Sequence, residues 1–234
     1  VTRPARILWG LPDALLCWLA GHLGAILASI PIFAILGDAD IDKKLEFGVL
    51  LPAQQLAYVL AAVYVSRLKG QRSLGSDFGF RVRRSDAKLL LVGAAIELLL
   101  TLALWPIISL DPGAKDQQLL TDLKEQQDVA TVALFFLGAV VFAPIVEELL
   151  FRGILLRALL RKFQPTTSIL ASSVIFALVH FIGDPNAFRF LPALAGLGAV
   201  LAIVTLRTGD LSQAIFLHAG FNLTTVVIVV WTSS

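Results

Sequence analysis

Glu147 and Glu148 stand side by side in the apolar run VVFAPIVEELLFRGILLRALL. Carboxylates are costly in hydrocarbon, so a pair of them in such a run calls for partners or a task. Arg152 follows Glu148 by four positions, one helical turn, and the two share a face on which an ion pair forms. The same spacing gives Glu147 only Ala143 and Phe151. With no cation on its own helix, Glu147 must find a partner elsewhere, face an aqueous cleft or take up a proton. The asymmetry makes Glu147 the candidate for proton transfer and Glu148 the structural partner of Arg152.

Two of the three histidines lie in later apolar segments: His180 in SSVIFALVHF, one turn after Phe176, and His218 in IFLHAGFN, one turn before Asn222. Taken singly, each histidine reads as a packing residue and Asn222 as a polar link between helices. Together with the glutamates they suit hydrolysis. A carboxylate can take a proton from water while a histidine orients that water or exchanges the proton. Histidine and asparagine can both donate to a developing oxyanion. A zinc ion held by His180, His218 and a glutamate, Glu147, is a second reading, since three protein ligands and a water make a catalytic zinc site. No HExxH sequence supports it.

These residues need helices to carry them. Of 234 residues, 57% are hydrophobic and 15% charged, against about 25% charged in an ordinary soluble domain. Apolar blocks of membrane-spanning length predict seven transmembrane helices near 14–36, 47–66, 87–110, 130–150, 166–182, 190–206 and 211–231. Lipid tolerates few unpaired backbone groups and no barrel pattern appears, so the expected fold is an all-α polytopic bundle with its site buried between helices. Pro144 and Gly153 interrupt the fourth span, which is expected to run as continuous or gently kinked helix from about 130 to 161. On the standard rise, Glu148, His180 and Asn222 reach comparable depths of roughly 15–22 Å, with His218 nearer the cytoplasmic side.

The connecting segments alternate in charge. GDADIDKKLE and 111–128 are acidic, whereas 67–88 and the stretch around Arg157, Arg161 and Lys162 are basic. The pattern predicts a cytoplasmic N terminus and, for seven spans, an external C terminus. Segment 115–128 reads either as an external amphipathic helix or as a solvated connector. The net charge of +2 gives no reason to expect nucleic-acid binding; membrane lipids are the expected surroundings. Cys17 is the sole cysteine, which excludes an intrachain disulfide.

EELLFR at 147–152, FALVH at 176–180 and HAGFN at 218–222 fit the patterns EExxxR, FxxxH and HxxxN. In these residues the chain resembles the CAAX prenyl protease and bacteriocin-processing family, also called CPBP or Abi membrane proteases. The resemblance covers about 130–231 and implies two regions: N-terminal helices with a variable substrate-access part over 1–129, and a catalytic transmembrane core over 130–234. It also implies an intramembrane endopeptidase in which Glu147 activates water with His180 as its partner. Glu148 and Arg152 would stabilise the site, His218 and Asn222 would support the oxyanion or hold the water, and Phe176 would pack beside them. The family's common eight-helix arrangement is the alternative to seven spans. Both metal-dependent and metal-free mechanisms are considered for the family; Asn222, a natural hydrogen-bond donor and an unusual zinc ligand, favours the latter.

The expected protein therefore sits in a membrane, with the bacterial cytoplasmic membrane as the implied location, and cleaves a membrane-associated peptide or protein. The rival reading is a nonproteolytic scaffold or bacteriocin-immunity protein that binds a membrane-protein partner. A transporter using the buried acids as a proton path comes third.

Overall fold

A computed structural model describes residues 8–36, 42–108, 128–183, 188 and 190–232. Its long elements are α1 (Leu11–Leu36), α2 (Lys43–Lys69), α4 (Leu89–Ile108, entered through a 3₁₀ turn Arg84–Lys88), α5 (Val129–Leu160), α6 (Pro165–Gly183), α7 (Leu191–Thr208) and α8 (Ser212–Thr232). A single short helix, α3 (Leu74–Phe78), lies between α2 and α4. Among the described residues, six helices are long and apolar enough to cross a membrane, and α8 adds a shorter apolar stretch, Ser212–Ile228. The chain is an integral membrane protein. Most of segment 115–128, for which the sequence offers an external amphipathic helix or a solvated connector, lies outside the described residues; only its last residue, Asp128, is inside.

Helices in lipid gain little from burying apolar surface against one another, so close backbone approach at small residues does much of the packing. Gly24 of α1 leaves no room for a side chain beside Ala57 of α2, and Gly21 accommodates the ring of Tyr58. Gly93 of α4 rests on the Leu217 carbonyl of α8, while Gly220 of α8 rests on that of Leu90. On α7, a methyl group at Gly198 would come within 3.0 Å of the Ser173 backbone on α6. Leu19, Ile26 and Ile30 of α1 and Leu91, Leu99 and Leu102 of α4 stay exposed and face lipid.

α5 runs through the middle. At the standard rise its 32 residues span about 48 Å, more than a ~30 Å hydrocarbon layer. Val146, Leu149, Leu150 and Ile154 form one core with Phe176, Leu197, Leu201, Ile215 and Leu217. Towards its start, Phe135 and Val140 join Phe47 and Val226 in a second, smaller core.

The helix is continuous, as the sequence predicts, but it is not regular. Turns widened to the π form occupy Leu137–Phe142 and Leu149–Leu155. A third, Glu46–Leu50 in α2, also precedes a proline, Pro52. Proline lacks an N–H, and its ring collides with the carbonyl four residues back, so a regular turn cannot close there. Before Pro144 the Ala143 N–H passes over Ala139 and bonds to Gly138 O instead. The Ala139 carbonyl is thereby left without its usual helical partner.

The basic end of the bundle fixes where α8 begins. Arg83 makes a two-pronged bond to Asp210 (2.6 and 3.1 Å), and Asp210 accepts the Ser212 N–H (3.1 Å). The Arg83 backbone N–H reaches Ser212 Oγ at 2.8 Å, and Leu211 N–H bonds to Gly79 O at 2.9 Å. Gly79 (φ 73°) and Gly209 (φ 77°) adopt the left-handed backbone that this meeting of loops requires. From α5, Arg157 donates to Gly209 O at 3.0 Å and Arg161 donates to Trp9 O. The hydrogen bond to Asp210 is the main reason that Arg83 is more basic than an ordinary arginine. At the opposite end Lys44 pairs with Asp128 at 3.3 Å.

Candidate active site

Successive residues on a helix point about 100° apart, and that angle divides the two glutamates. Glu148 turns into the bundle, where it is fully buried. Its Oε1 accepts from Arg152 Nη1 at 2.9 Å and from His218 Nδ1 at 3.0 Å. Arg152, 1% exposed, also donates through Nη2 to the Gly198 carbonyl at 3.2 Å and lies over the Phe176 ring at 4.5 Å. The ion pair expected from the four-residue spacing is present. A carbonyl on α7 and a ring on α6 add to it, while Arg152 Nε and Glu148 Oε2 stay buried without a hydrogen-bond partner among the described residues.

Glu147 keeps 23% of its side chain exposed, while its Oε2 is buried without a hydrogen-bond partner among the described residues. Its Oε2 lies 3.7 Å from His218 Nε2 and 3.9 Å from His180 Nε2. These gaps exceed a direct hydrogen bond and are short enough for one water to bridge them.

The outer nitrogen of each histidine fixes what the inner one presents. His180 Nδ1 lies 2.8 Å from the Phe176 carbonyl, which can only accept, so Nδ1 carries the proton. His218 Nδ1 faces the Glu148 carboxylate in the same sense. In both rings Nε2 then faces Glu147 Oε2. His218 is buried, whereas His180 is 29% exposed on its side chain and sits at the mouth.

Phe176 is the hub that holds the rings. It is fully buried, with ring centroids 4.7 Å from His180, 5.7 Å from His218 and 5.1 Å from Phe151. Asn222 occupies a different place. Its Nδ2 donates at 2.8 Å to Ala139 O, the carbonyl that the widened turn before Pro144 leaves free. Asn222 thus ties α8 to α5 one turn from His218.

Two polar groupings near this site do not follow from the three motifs. Glu97 on α4 is 7% exposed and accepts from Thr101 Oγ1 (3.0 Å) and Thr225 Oγ1 (3.2 Å). The signal for it was a lone acid in LLLVGAAIELLLTLALW. Between α1 and α2, His22 lies 3.3 Å from Gln54 and 3.4 Å from the Tyr58 hydroxyl, and Tyr58 is within electrostatic range of Glu147. The third histidine was visible in sequence, but its approach to the site depends on how α1 and α2 pack.

Zinc requires ligands drawn to about 2.0–2.2 Å of one point. Among the described residues, no group of three His, Cys, Asp or Glu side chains has that arrangement.

Residues 129–224 match the family model described as "Rce1-like: Type II CAAX prenyl endopeptidase Rce1-like". No curated protein and no solved structure gives a significant match. The matched segment begins at the start of α5 and includes Glu147, Glu148, Arg152, Phe176, His180, His218 and Asn222. The chain is an integral membrane protein that is similar, over residues 129–224, to the Rce1-like family.

Proposed function

We propose that this protein is an intramembrane endopeptidase that hydrolyses a peptide bond in a membrane-associated peptide or protein. The observation that carries the reading is the convergence of two histidine Nε2 atoms, each with its proton fixed on the far nitrogen, upon the one partly exposed carboxylate, Glu147.

In the proposed cycle a water sits between Glu147 and His180. Glu147 takes its proton, and the water oxygen attacks the peptide carbonyl carbon. The carbonyl oxygen becomes an oxyanion that accepts from His218 Nε2–H, while Glu148 holds the same ring through Nδ1–H. The proton taken by Glu147 returns to the amide nitrogen as the C–N bond breaks, giving an acid and an amine. Asn222 acts by holding α8 against α5. Glu148 and Arg152 form the fixed floor on which His218 stands. In this cycle the steps are carried by side chains.

The basic end, with Arg83, Arg157 and Arg161, is the cytoplasmic side by the charge rule, which puts the N terminus in the cytoplasm. The substrate enters laterally between helices, and residues 1–129 supply the variable access wall.

The test compares new peptide termini in membrane fractions of cells expressing wild type or Glu147→Gln at matched levels. Termini that appear only with wild type support the reading. Identical terminal profiles, with the biological phenotype retained in the variant, overturn it in favour of a noncatalytic membrane partner.

A further inference from the structure

The segment that leads into α4 carries exposed charge of one sign. Arg81, Arg84 and Lys88 are exposed, and so is Arg207 in the last turn of α7. Hydrogen bonds join the two stretches at one corner of the bundle: Leu211 N–H bonds to Gly79 O, and Arg83 pairs with Asp210. The acids of this corner do not offset the four cations. Asp86 and Asp210 are each 7% exposed, and Arg83 takes both, through Nε at 3.2 Å and Nη1 at 2.6 Å. Among the described residues no carboxylate pairs with Arg81, Arg84, Lys88 or Arg207.

The surface bordering these cations is apolar. Leu91 and Val92 are exposed on α4, and Ile203 and Leu206 are exposed on α7. Leu206 directly precedes Arg207, and Lys88 lies about 4.5 Å along the helix from Leu91 at the standard rise. Val82 is exposed between Arg81 and Arg84. The cations therefore sit at the edge of the lipid-facing surface, at the level of the headgroup phosphates. Long basic side chains suit that level, since their stems lie along apolar surface while the charges stay in water. A soluble anion would use the charge alone; the apolar border fits a molecule that also has acyl chains. The charge rule makes this end cytoplasmic, and the cytoplasmic leaflet is the one with a negative surface potential.

We infer that this corner binds the headgroups of anionic phospholipids, with Arg81, Arg84, Lys88 and Arg207 supplying the charge and Leu91 and Leu206 meeting the upper acyl chains. The bound lipid braces from outside the junction that Arg83 and Asp210 hold from within. That junction fixes the start of α8, the helix that carries His218 and Asn222. Each cation near an anionic surface contributes about 1 kcal/mol, so four together give a strong preference over zwitterionic lipid.

The test uses the full-length protein reconstituted in phosphatidylcholine with and without phosphatidylglycerol, and it needs no peptidase activity. Thermal unfolding is followed, and capture by a photoactivatable phosphatidylglycerol is mapped to peptides by mass spectrometry. Phosphatidylglycerol is expected to raise the melting temperature by several degrees, and high salt to remove most of that rise. Capture should map to 81–92 and 203–207. In Arg81→Gln/Arg84→Gln/Lys88→Gln the rise should vanish and capture at this corner should fall about tenfold or more. The same variant should unfold like wild type in phosphatidylcholine alone. The charge-keeping variant Arg81→Lys/Arg84→Lys/Lys88→Arg should retain both the rise and the capture. Equal unfolding in the two lipids, or a rise that the glutamine variant keeps, overturns the lipid site. So does a phosphatidylcholine probe captured equally well at this corner. Inorganic phosphate that reproduces the rise in phosphatidylcholine alone overturns it in favour of a soluble anion. A glutamine variant already destabilised in phosphatidylcholine, with the lipid-dependent rise intact, overturns it in favour of a role within the fold.

Discussion

His218 Nδ1 and Arg152 Nη1 meet on a single oxygen, Glu148 Oε1, at 3.0 and 2.9 Å. The buried guanidinium thus has one carboxylate, and that carboxylate also fixes a histidine of the site. Glu148→Gln removes the charge and leaves Arg152 buried without its counter-ion. The expected cost is about 3–5 kcal/mol, seen as a large fall in melting temperature in detergent. Glu147→Gln has no such ion pair to break, so its melting temperature should stay near wild type while hydrolysis falls by about 10²–10⁴-fold.

The bond from Asn222 to Ala139 O exists because Pro144 cannot complete the turn beneath it. Asn222→Ala leaves that carbonyl bare and should cost about 1–3 kcal/mol. Pro144→Ala supplies the missing N–H and gives the helix another way to close. In the double variant the asparagine loss should therefore cost less than it does alone. A double-mutant cycle on unfolding in detergent is expected to show coupling of about 0.5–2 kcal/mol.

The glycines of the α4–α8 contact are not interchangeable with others in the bundle. Gly93 and Gly220 each face a backbone carbonyl, which cannot move aside, whereas Gly196 faces only the flexible Leu100 tip at 3.4 Å. Alanine at 93 or 220 should push α4 and α8 apart, break the Thr225–Glu97 bond and destabilise by about 1–3 kcal/mol. Alanine at 196 should be nearly silent. Thermal unfolding of the three variants in one detergent checks the order.

Asp128 caps α5 by accepting the Thr131 N–H at 2.9 Å and its hydroxyl at 2.8 Å, with Lys44 at 3.3 Å. The backbone bond from Thr131 is the largest reason its carboxyl is held below the ordinary range. Because the folded form has the lower pKa, the cap is fully present above the ordinary value of about 3.9 and is lost as pH falls through the lowered one. Amide exchange at Thr131 should lose protection in that acid range. In Asp128→Asn, which has no charge to titrate, protection should show no such step.

Much of this arrangement was legible in the residues. The four-residue spacings gave the Glu148–Arg152 pair and the stacked Phe176 and His180, because those contacts lie within one helix. Apolar block lengths placed the spans within a few residues of the observed helices. The remaining contacts depend on backbone that no side-chain pattern records. Sequence does not show that Phe176 O fixes the His180 ring, that Gly198 O completes Arg152, or that Asn222 takes Ala139 O. Pro144 signalled a freed carbonyl without telling which polar group would find it. Glu97 was the overlooked opportunity: a single acid in an apolar run, whose hydroxyl partners on α4 and α8 only the packing identifies.

The widened turn at Leu137–Phe142 acts as a phase shifter. Every residue after it is offset in azimuth from where a regular helix would carry it, and Glu147 is among them. Closing that stretch as regular helix with no change in its length would swing the remainder of α5 by about 100°. Glu148 would leave His218 behind, and Glu147 would turn away from both histidines. A chain shortened by one residue there would instead keep the phase, because the widened turn takes up about one residue more than a regular one.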